Sequence, residues 1–431
     1  MPIIFPEGHV FPRIEYHEYL NQQQKCSLLV DVASQMAKDW QQAGEPGNRN
    51  DTSWTPTYRS TCDVDELPAN TPKTIYGAQY KNFTISNTVI WTVYSNATGG
   101  QEKNRGPAVI IATEDGHPQT AYVIFRGTLN ASDFALDLKY GHVPNPIAGG
   151  TGNCHEGFTE YFQGCGINSI PGTDNNARPF GKPVAGQTET LYEALHKLPA
   201  QGVKHLVVTG HSLGSAVATL ATAWAVTLTK DGEQIFETVR GSVSASPRVG
   251  DNAFKAWFDG IQDRKGNDLK DRFWRLTNTE DGVPKVPGEV QDPGKVQYTE
   301  VGYNVHFTEN YLTSILASLV TVGTVYEIVK KGLTNWHNMG LAAGVDPKPG
   351  VTFTPTAQGV VPPVFPKQEG TVKKPKWQAN PNHNPCCCYA YAINHPDLTR
   401  NLGFNKDDDD GGNCHYPVVS PPPATSSTPV S

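Results

Sequence analysis

The hydrophobic positions of this chain follow two different periods. Over residues 15–42, Tyr19, Leu28, Leu29, Val32, Ala33, Met36 and Trp40 recur at helical steps, and the pattern stops in the Gly44-Glu45-Pro46-Gly47 break. Short β-branched runs follow, and they predict strands over 89–94, 108–113, 121–125, 206–209, 239–245 and 273–277. Helical stretches over 187–198, 214–229 and 251–260 lie between them. Strands that alternate with helices predict an α/β fold, with a largely parallel central sheet flanked by crossover helices. In such a sheet the reactive groups collect at the carboxyl ends of the strands.

The pattern weakens toward the C-terminus. Tyr311 to Val329 is apolar but interrupted by Thr313, Ser314, Ser318, Thr321 and Glu327, which is too polar for a membrane span. It reads as a buried or interfacial helix. After Gly344, prolines from Pro347 to Pro385 punctuate a stretch with few apolar clusters, and the chain ends in a Ser/Pro/Thr-rich run. The expected division is an α/β domain over 1–345 and a Pro- and Cys-containing extension over 346–431, mostly irregular with a disordered end.

Charge narrows the function. With 35 basic and 42 acidic residues the net charge is −7, and no basic block is interleaved with aromatics, so nucleic acid is not an expected partner. The first residues, Met1-Pro2-Ile3-Ile4-Phe5-Pro6-Glu7, show no signal peptide. Eight cysteines and N-x-S/T triplets at Asn50, Asn82, Asn96 and Asn130 nevertheless favour a secreted, disulfide-bonded glycoprotein. A cytoplasmic enzyme, or one peripheral to lipid surfaces, is the alternative. The adjacent Cys386, Cys387 and Cys388 cannot easily converge on one tetrahedral ion, and Asp407 to Asp410 lacks the ligand spacing of a calcium loop. No metal and no cofactor is expected.

The candidate chemistry centres on Leu206-Val-Val-Thr-Gly-His-Ser-Leu-Gly214. A β-branched run ends at a serine flanked by Gly210 and Gly214, and an alanine-rich helical stretch follows it. A strand that becomes a helix within one residue forces that residue into a strained conformation, and only small neighbours leave room for it. Ser212 is therefore expected at a nucleophile elbow. A serine nucleophile needs a base, and the base needs an orienting carboxylate. Asp281 follows the predicted strand 273–277 and is the best acid. Asp251 and Asp259 fit a cap or solvent role better, and Asp292 lies in a loop. The later histidines are His306, His337, His383, His395 and His415. His337, in a polar-aromatic loop, is the first choice for the base and His306 the second, while the last three fall in the Pro-rich extension. The oxyanion donors are expected at Leu213, next to the nucleophile, and at Thr128 in Phe125-Arg126-Gly127-Thr128. Residues 129–138, with Asp133, Phe134 and Leu136, form a candidate amphipathic lid.

Six ordered blocks resemble the fungal-type class 3 lipases and their plant and feruloyl esterase relatives. They are Val123-Ile-Phe-Arg-Gly-Thr128, Ser132-Asp-Phe-Ala-Leu-Asp-Leu138, His155-Glu-Gly-Phe158, Gly210-His-Ser-Leu-Gly214, Ser246-Pro-Arg-Val-Gly250 and Leu276-Thr-Asn-Thr-Glu-Asp-Gly-Val-Pro284. The resemblance spans about 108–341. It implies an α/β-hydrolase fold, Ser212 as nucleophile, Asp281 as acid, and Thr128 with Leu213 as oxyanion donors, and it favours His337 over His306 as base. It departs from the family at Asp133-Phe134, where Asn-Trp is common, so the lid's substrate preference stays open. The expectation is a monomeric serine ester hydrolase, a triacylglycerol lipase working at a lipid–water interface without a transmembrane segment. A phospholipase, a feruloyl-type esterase or a non-catalytic lipid- or protein-binding relative are the alternatives.

Overall fold

The computed structural model describes residues 16–45, 54–60, 81–86, 89–95, 103–129, 141–167, 190–279, 281–287, 297–307, 315–316, 326–330, 336–337, 341–349, 351–354, 356, 371–373, 383, 389, 393 and 403–405. A nine-stranded sheet runs through it. Its strands are β1 (Phe83–Ile85), β2 (Ile90–Ser95), β3 (Lys103–Glu114), β4 (His117–Phe125), β5 (His205–Gly210), β6 (Thr238–Ser244), β7 (Phe273–Asn278), β8 (Tyr303–Phe307) and β9 (Gly403–Asn405). Strands β4 to β8 are parallel neighbours in sequence order. Antiparallel strands close both edges, with β1, β2 and β3 on one side and β9 on the other.

Alternation along the strands makes two cores, because successive side chains point to opposite faces. On β5, Leu206 and Val208 join one core while Val207 joins the other. The second face is covered by helix α1 (Tyr16–Gln42), whose Leu29, Val32, Ala33 and Met36 are fully buried. The helix ends where Gly44 and Glu45 turn to positive φ, a conformation that halts helical hydrogen bonding. The first face is covered by α2 (Glu156–Gly164) and by α3 (Leu191–Lys197), which starts with a reciprocal Thr190–Glu193 capping box. The central helix α4 (Leu213–Thr227) is buried at every position from Leu213 to Val226. That is why its sequence is apolar all round rather than amphipathic. The last helix, α5 (Asn252–Gly260), is capped by Asp251, whose carboxylate accepts the Phe254 N–H at 2.8 Å.

The predicted strands and helices of the first 280 residues are found with shifts of a few residues. The differences lie further along. Within Tyr311 to Val329, expected to be helical, the described residues Ile315–Leu316 and Tyr326–Lys330 are strands. They pair with Thr371–Lys373, and Tyr326–Lys330 also pairs with Thr352–Phe353. These partners come from the expected irregular extension, so no local period could announce them. Residues past 345 also reach the sheet. Strand β9 pairs with β8, and Tyr389 and Ile393 are buried with Tyr19, Trp274 and Leu276. Among the described residues, Cys26, Cys154 and Cys165 are free, buried thiols rather than disulfide partners. Burial pushes the thiols of Cys26 and Cys165 up to about 12, so neither is a ready thiolate. Among the described residues, no helix is long and apolar enough to cross a membrane.

Candidate active site

Ser212 sits between β5 and α4 with φ 57° and ψ −130°, a left-handed conformation that a serine adopts only when its surroundings enforce it. The enforcement is visible on every side. A Cβ on Gly210 would lie 2.2 Å from the Gly214 carbonyl oxygen, and one on Gly214 would lie 2.4 Å from that of Arg126. The Ser212 N–H donates to the Ser244 carbonyl at the end of β6 (3.2 Å), and the Ser212 carbonyl accepts the Ser215 N–H (2.9 Å) and the Ser215 hydroxyl. The turn is thus clamped to the next strand and to the first turn of α4.

Asp281 arrives three residues beyond β7, where its N–H donates to the Asn278 carbonyl at 2.9 Å. One carboxylate oxygen, Oδ1, accepts the Val283 N–H at 3.0 Å. The other, Oδ2, accepts two bonds of 2.7 Å, from His383 Nδ1–H and from the Tyr389 hydroxyl. The side chain is fully buried. Burial alone would raise its pKa, but the hydrogen bond and charge of His383, with the Val283 N–H and the Tyr389 hydroxyl, hold the carboxyl below its ordinary value.

The histidine beside Ser212 is His383. Its Nε2 accepts the Ser212 hydroxyl at 2.8 Å while its Nδ1–H donates to Asp281. The tautomer follows from the partners, since a carboxylate can only accept. His337, the expected base, lies elsewhere. It is exposed, and its Nδ1 faces the Leu341 carbonyl at 3.1 Å. Its polar-aromatic context reflects the burial of Trp336, not proximity to the serine. His306 lies on β8, with Nδ1 2.6 Å from the Thr277 hydroxyl, while the ring bonds to Ser212 and Asp281 are those of His383. His383 falls in the Pro-rich extension, whose sequence carries no helical or strand period that would place it.

Two residues that sequence reading did not single out complete the arrangement. The Tyr389 hydroxyl accepts the Asn278 N–H at 3.1 Å and donates to Asp281, so it ties the end of β7 to the acid. Arg126 is buried, and its guanidinium donates from Nε to the Pro107 carbonyl (2.6 Å) and from Nη1 to the Gly127 carbonyl (2.7 Å). The Gly127 C=O and the Thr128 N–H belong to one planar trans peptide, so holding the first fixes the direction of the second. The same loop lies against the elbow, because a Cβ on Gly127 would be 3.1 Å from the His211 carbonyl oxygen and 3.8 Å from Ser212 Cβ. Leu213 supplies the first helical residue directly after the nucleophile. Asp133, Phe134 and Leu136 of the expected lid lie outside the described residues. Among the described residues, no group of three or more His, Cys, Asp or Glu side chains could hold a metal ion.

Comparison with known proteins fits this geometry. Residues 122–291 match the model of the lipase (class 3) family, a segment that includes Ser212 and Asp281 and stops before His383. A phospholipase A1-II from rice (Oryza sativa subsp. japonica) is 30% identical over 172 residues, 38% of each chain. A secreted mono- and diacylglycerol lipase from Fusarium solani is 27% identical over 184 residues, 42% of this chain and 43% of the other. The chain therefore spans less than half the length of these relatives. The solved structure of Rhizomucor miehei triacylglyceride lipase aligns with 69% of this chain and 83% of its own at 19% identity and a TM-score of 0.41. Over residues 122–291 the chain is thus similar to the class 3 lipase family.

Proposed function

We propose that the protein is a serine carboxylic-ester hydrolase acting on acyl glycerol lipids through a covalent acyl-enzyme on Ser212. The observation that carries this reading is the unbroken Asp281–His383–Ser212 relay, with bonds of 2.7 and 2.8 Å, ending on a hydroxyl at a strained turn. His383 Nε2 takes the Ser212 proton as Oγ attacks the ester carbonyl. The resulting imidazolium is stabilised by Asp281, and the tetrahedral oxyanion is held by the N–H groups of Leu213 and Thr128. Collapse expels the alcohol, which leaves with the proton from His383. Water, deprotonated by the same imidazole, then releases the fatty acid and restores the serine.

The relatives act on phospholipids or on mono- and diacylglycerols by their names, which supports a glycerol ester as substrate without choosing its head group. We read the triacylglycerol lipase reaction as the first candidate and a phospholipase as the second, carried out by a monomer at a lipid–water interface. Secretion is part of the same proposal, in keeping with the secreted Fusarium relative. Against a non-catalytic binding role stands the cost of the strained serine, about 1–3 kcal/mol that a mere lipid-binding surface would have no reason to keep. The test is a fluorophosphonate probe together with a panel of p-nitrophenyl, triglyceride and phospholipid esters. The wild-type protein should be labelled on Ser212 and hydrolyse one class, and Ser212→Ala should do neither. Absence of labelling in the native protein would favour the binding relative.

A further inference from the structure

We infer that His211, the residue before the nucleophile, is a positioning residue that holds the main chain of the base in place. The inference rests on His383 acting as that base. The His211 Nε2–H donates to the His383 carbonyl oxygen at 2.8 Å, and its Nδ1 faces the Ser244 hydroxyl at 3.1 Å. A carbonyl only accepts, so the ring carries its proton on Nε2, and Nδ1 accepts from Ser244. The ring is 4% exposed, and its centroid lies 4.7 Å from that of His383 and 5.2 Å from that of Tyr389, which it meets edge-on.

The arrangement solves a problem of placement. Ser212 and Asp281 are set by strands of the sheet, but His383 is contributed from far along the chain, 171 positions after the serine. The two ring bonds to Ser212 and Asp281 anchor the imidazole but leave the backbone able to swing about the side-chain torsions. His211 supplies that restraint from the elbow itself. Ser244, at the end of β6, locks the His211 ring, and the backbone of His211 also bridges to Ser244 in parallel register. The elbow therefore presents the nucleophile and grips the base by adjacent residues. Burial is the larger cause that pushes the His211 pKa down to about 3, and the neighbouring His383 adds to it. The ring accordingly stays neutral and keeps the tautomer the bond requires while His383 becomes an imidazolium beside it.

The test uses two amides that each replace one ring nitrogen. In His211→Gln the amide nitrogen sits as many bonds from Cβ as Nε2 does and can still donate to the His383 carbonyl. In His211→Asn the amide group reaches only as far as Nδ1, so the bond to His383 is lost while the contact with Ser244 is kept. With p-nitrophenyl butyrate, kcat should fall on the order of 10²-fold in His211→Asn with KM little changed, as misplacement of a reacting group predicts. His211→Gln should recover most of that loss at a melting temperature similar to that of His211→Asn. Equal kcat in the two variants, or a loss confined to KM, would overturn the proposal. Ser212→Ala and His383→Ala run in parallel separate the two levels. If those variants keep full activity the esterase reading itself fails, and if they are inactive while Gln and Asn behave alike only the role of His211 fails.

Discussion

The two halves of the candidate site are held by different means. Ser212 and Asp281 follow β5 and β7, two parallel strands separated by β6, and ladder hydrogen bonds on both flanks fix where each strand ends. His383 and Tyr389 come instead from the C-terminal stretch. They reach the sheet through side-chain bonds to Ser212, Asp281, Asn278 and His211, and through strand β9 on the edge of β8. A strand-borne group inherits its position from many cooperative backbone bonds. A group carried in from afar depends on a few side-chain bonds, each worth about 0.5–1.5 kcal/mol, or about 1.5–3 where one partner is charged. The second half of the site is therefore where small substitutions should matter most for geometry and least for the fold.

The largest effect should come from breaking the distal half outright. His383→Ala is expected to lower kcat by about 10⁴-fold or more, as loss of a triad base does, while His337→Ala leaves it within about twofold, as expected of a surface position. Esterase assays of the two variants side by side check the assignment, and the reverse ranking would return the base to His337.

Next in size is the pH dependence of stability. The folded protein keeps His211 neutral down to about 3, whereas an unfolded chain protonates histidine near about 6.5. The unfolded state thus binds the extra proton between these values. The stability contributed by neutral His211 is fully present above about pH 6.5 and drains toward pH 3, at up to about 1.4 kcal/mol per pH unit. Asp281 acts lower, since its carboxyl is held below the ordinary value. Its contribution is present above about pH 3.9 and is lost as the pH falls through the folded-state value. Urea titrations from pH 8 to about pH 4 should show a shallower acid slope in His211→Gln than in the wild type. Parallel slopes would mean that the ring is not held neutral.

The smallest effect sharpens the comparison. Tyr389→Phe removes two hydrogen bonds, the one donated to Asp281 and the one accepted from the Asn278 N–H, at a cost of about 1–3 kcal/mol. The activity loss should stay within about tenfold, since each 1.4 kcal/mol lost from the transition state is a factor of ten. A chemical-denaturation midpoint and a kcat measured on one preparation test both numbers.

The legibility of the sequence divides along the same line. Gly210, Ser212 and Gly214 announce the elbow because the constraint is local, as glycines must stand where a Cβ would strike backbone. Asp281 is legible for a similar reason, following a β-branched and aromatic strand that ends at the reactive edge of the sheet. His337 resembles a site residue in the sequence because it stands in a polar-aromatic loop, yet the structure buries Trp336 beside it and leaves His337 exposed, which is the texture of a site without its geometry. The strands at 315–316, 326–330 and 371–373 have no legible signature because their pairing partners are distant and their own periods are too short.

By itself the sequence determined the alternation of strands and helices, the strained serine and the acid that follows β7, since each is dictated by contacts within a few residues. Only the tertiary structure decided which histidine answers the serine and where the C-terminal stretch belongs. The reason is physical. Closing the loop from Ser212 to His383 is an entropic cost with no local signature, and the side-chain bonds and burial that offset it exist only once the sheet has formed.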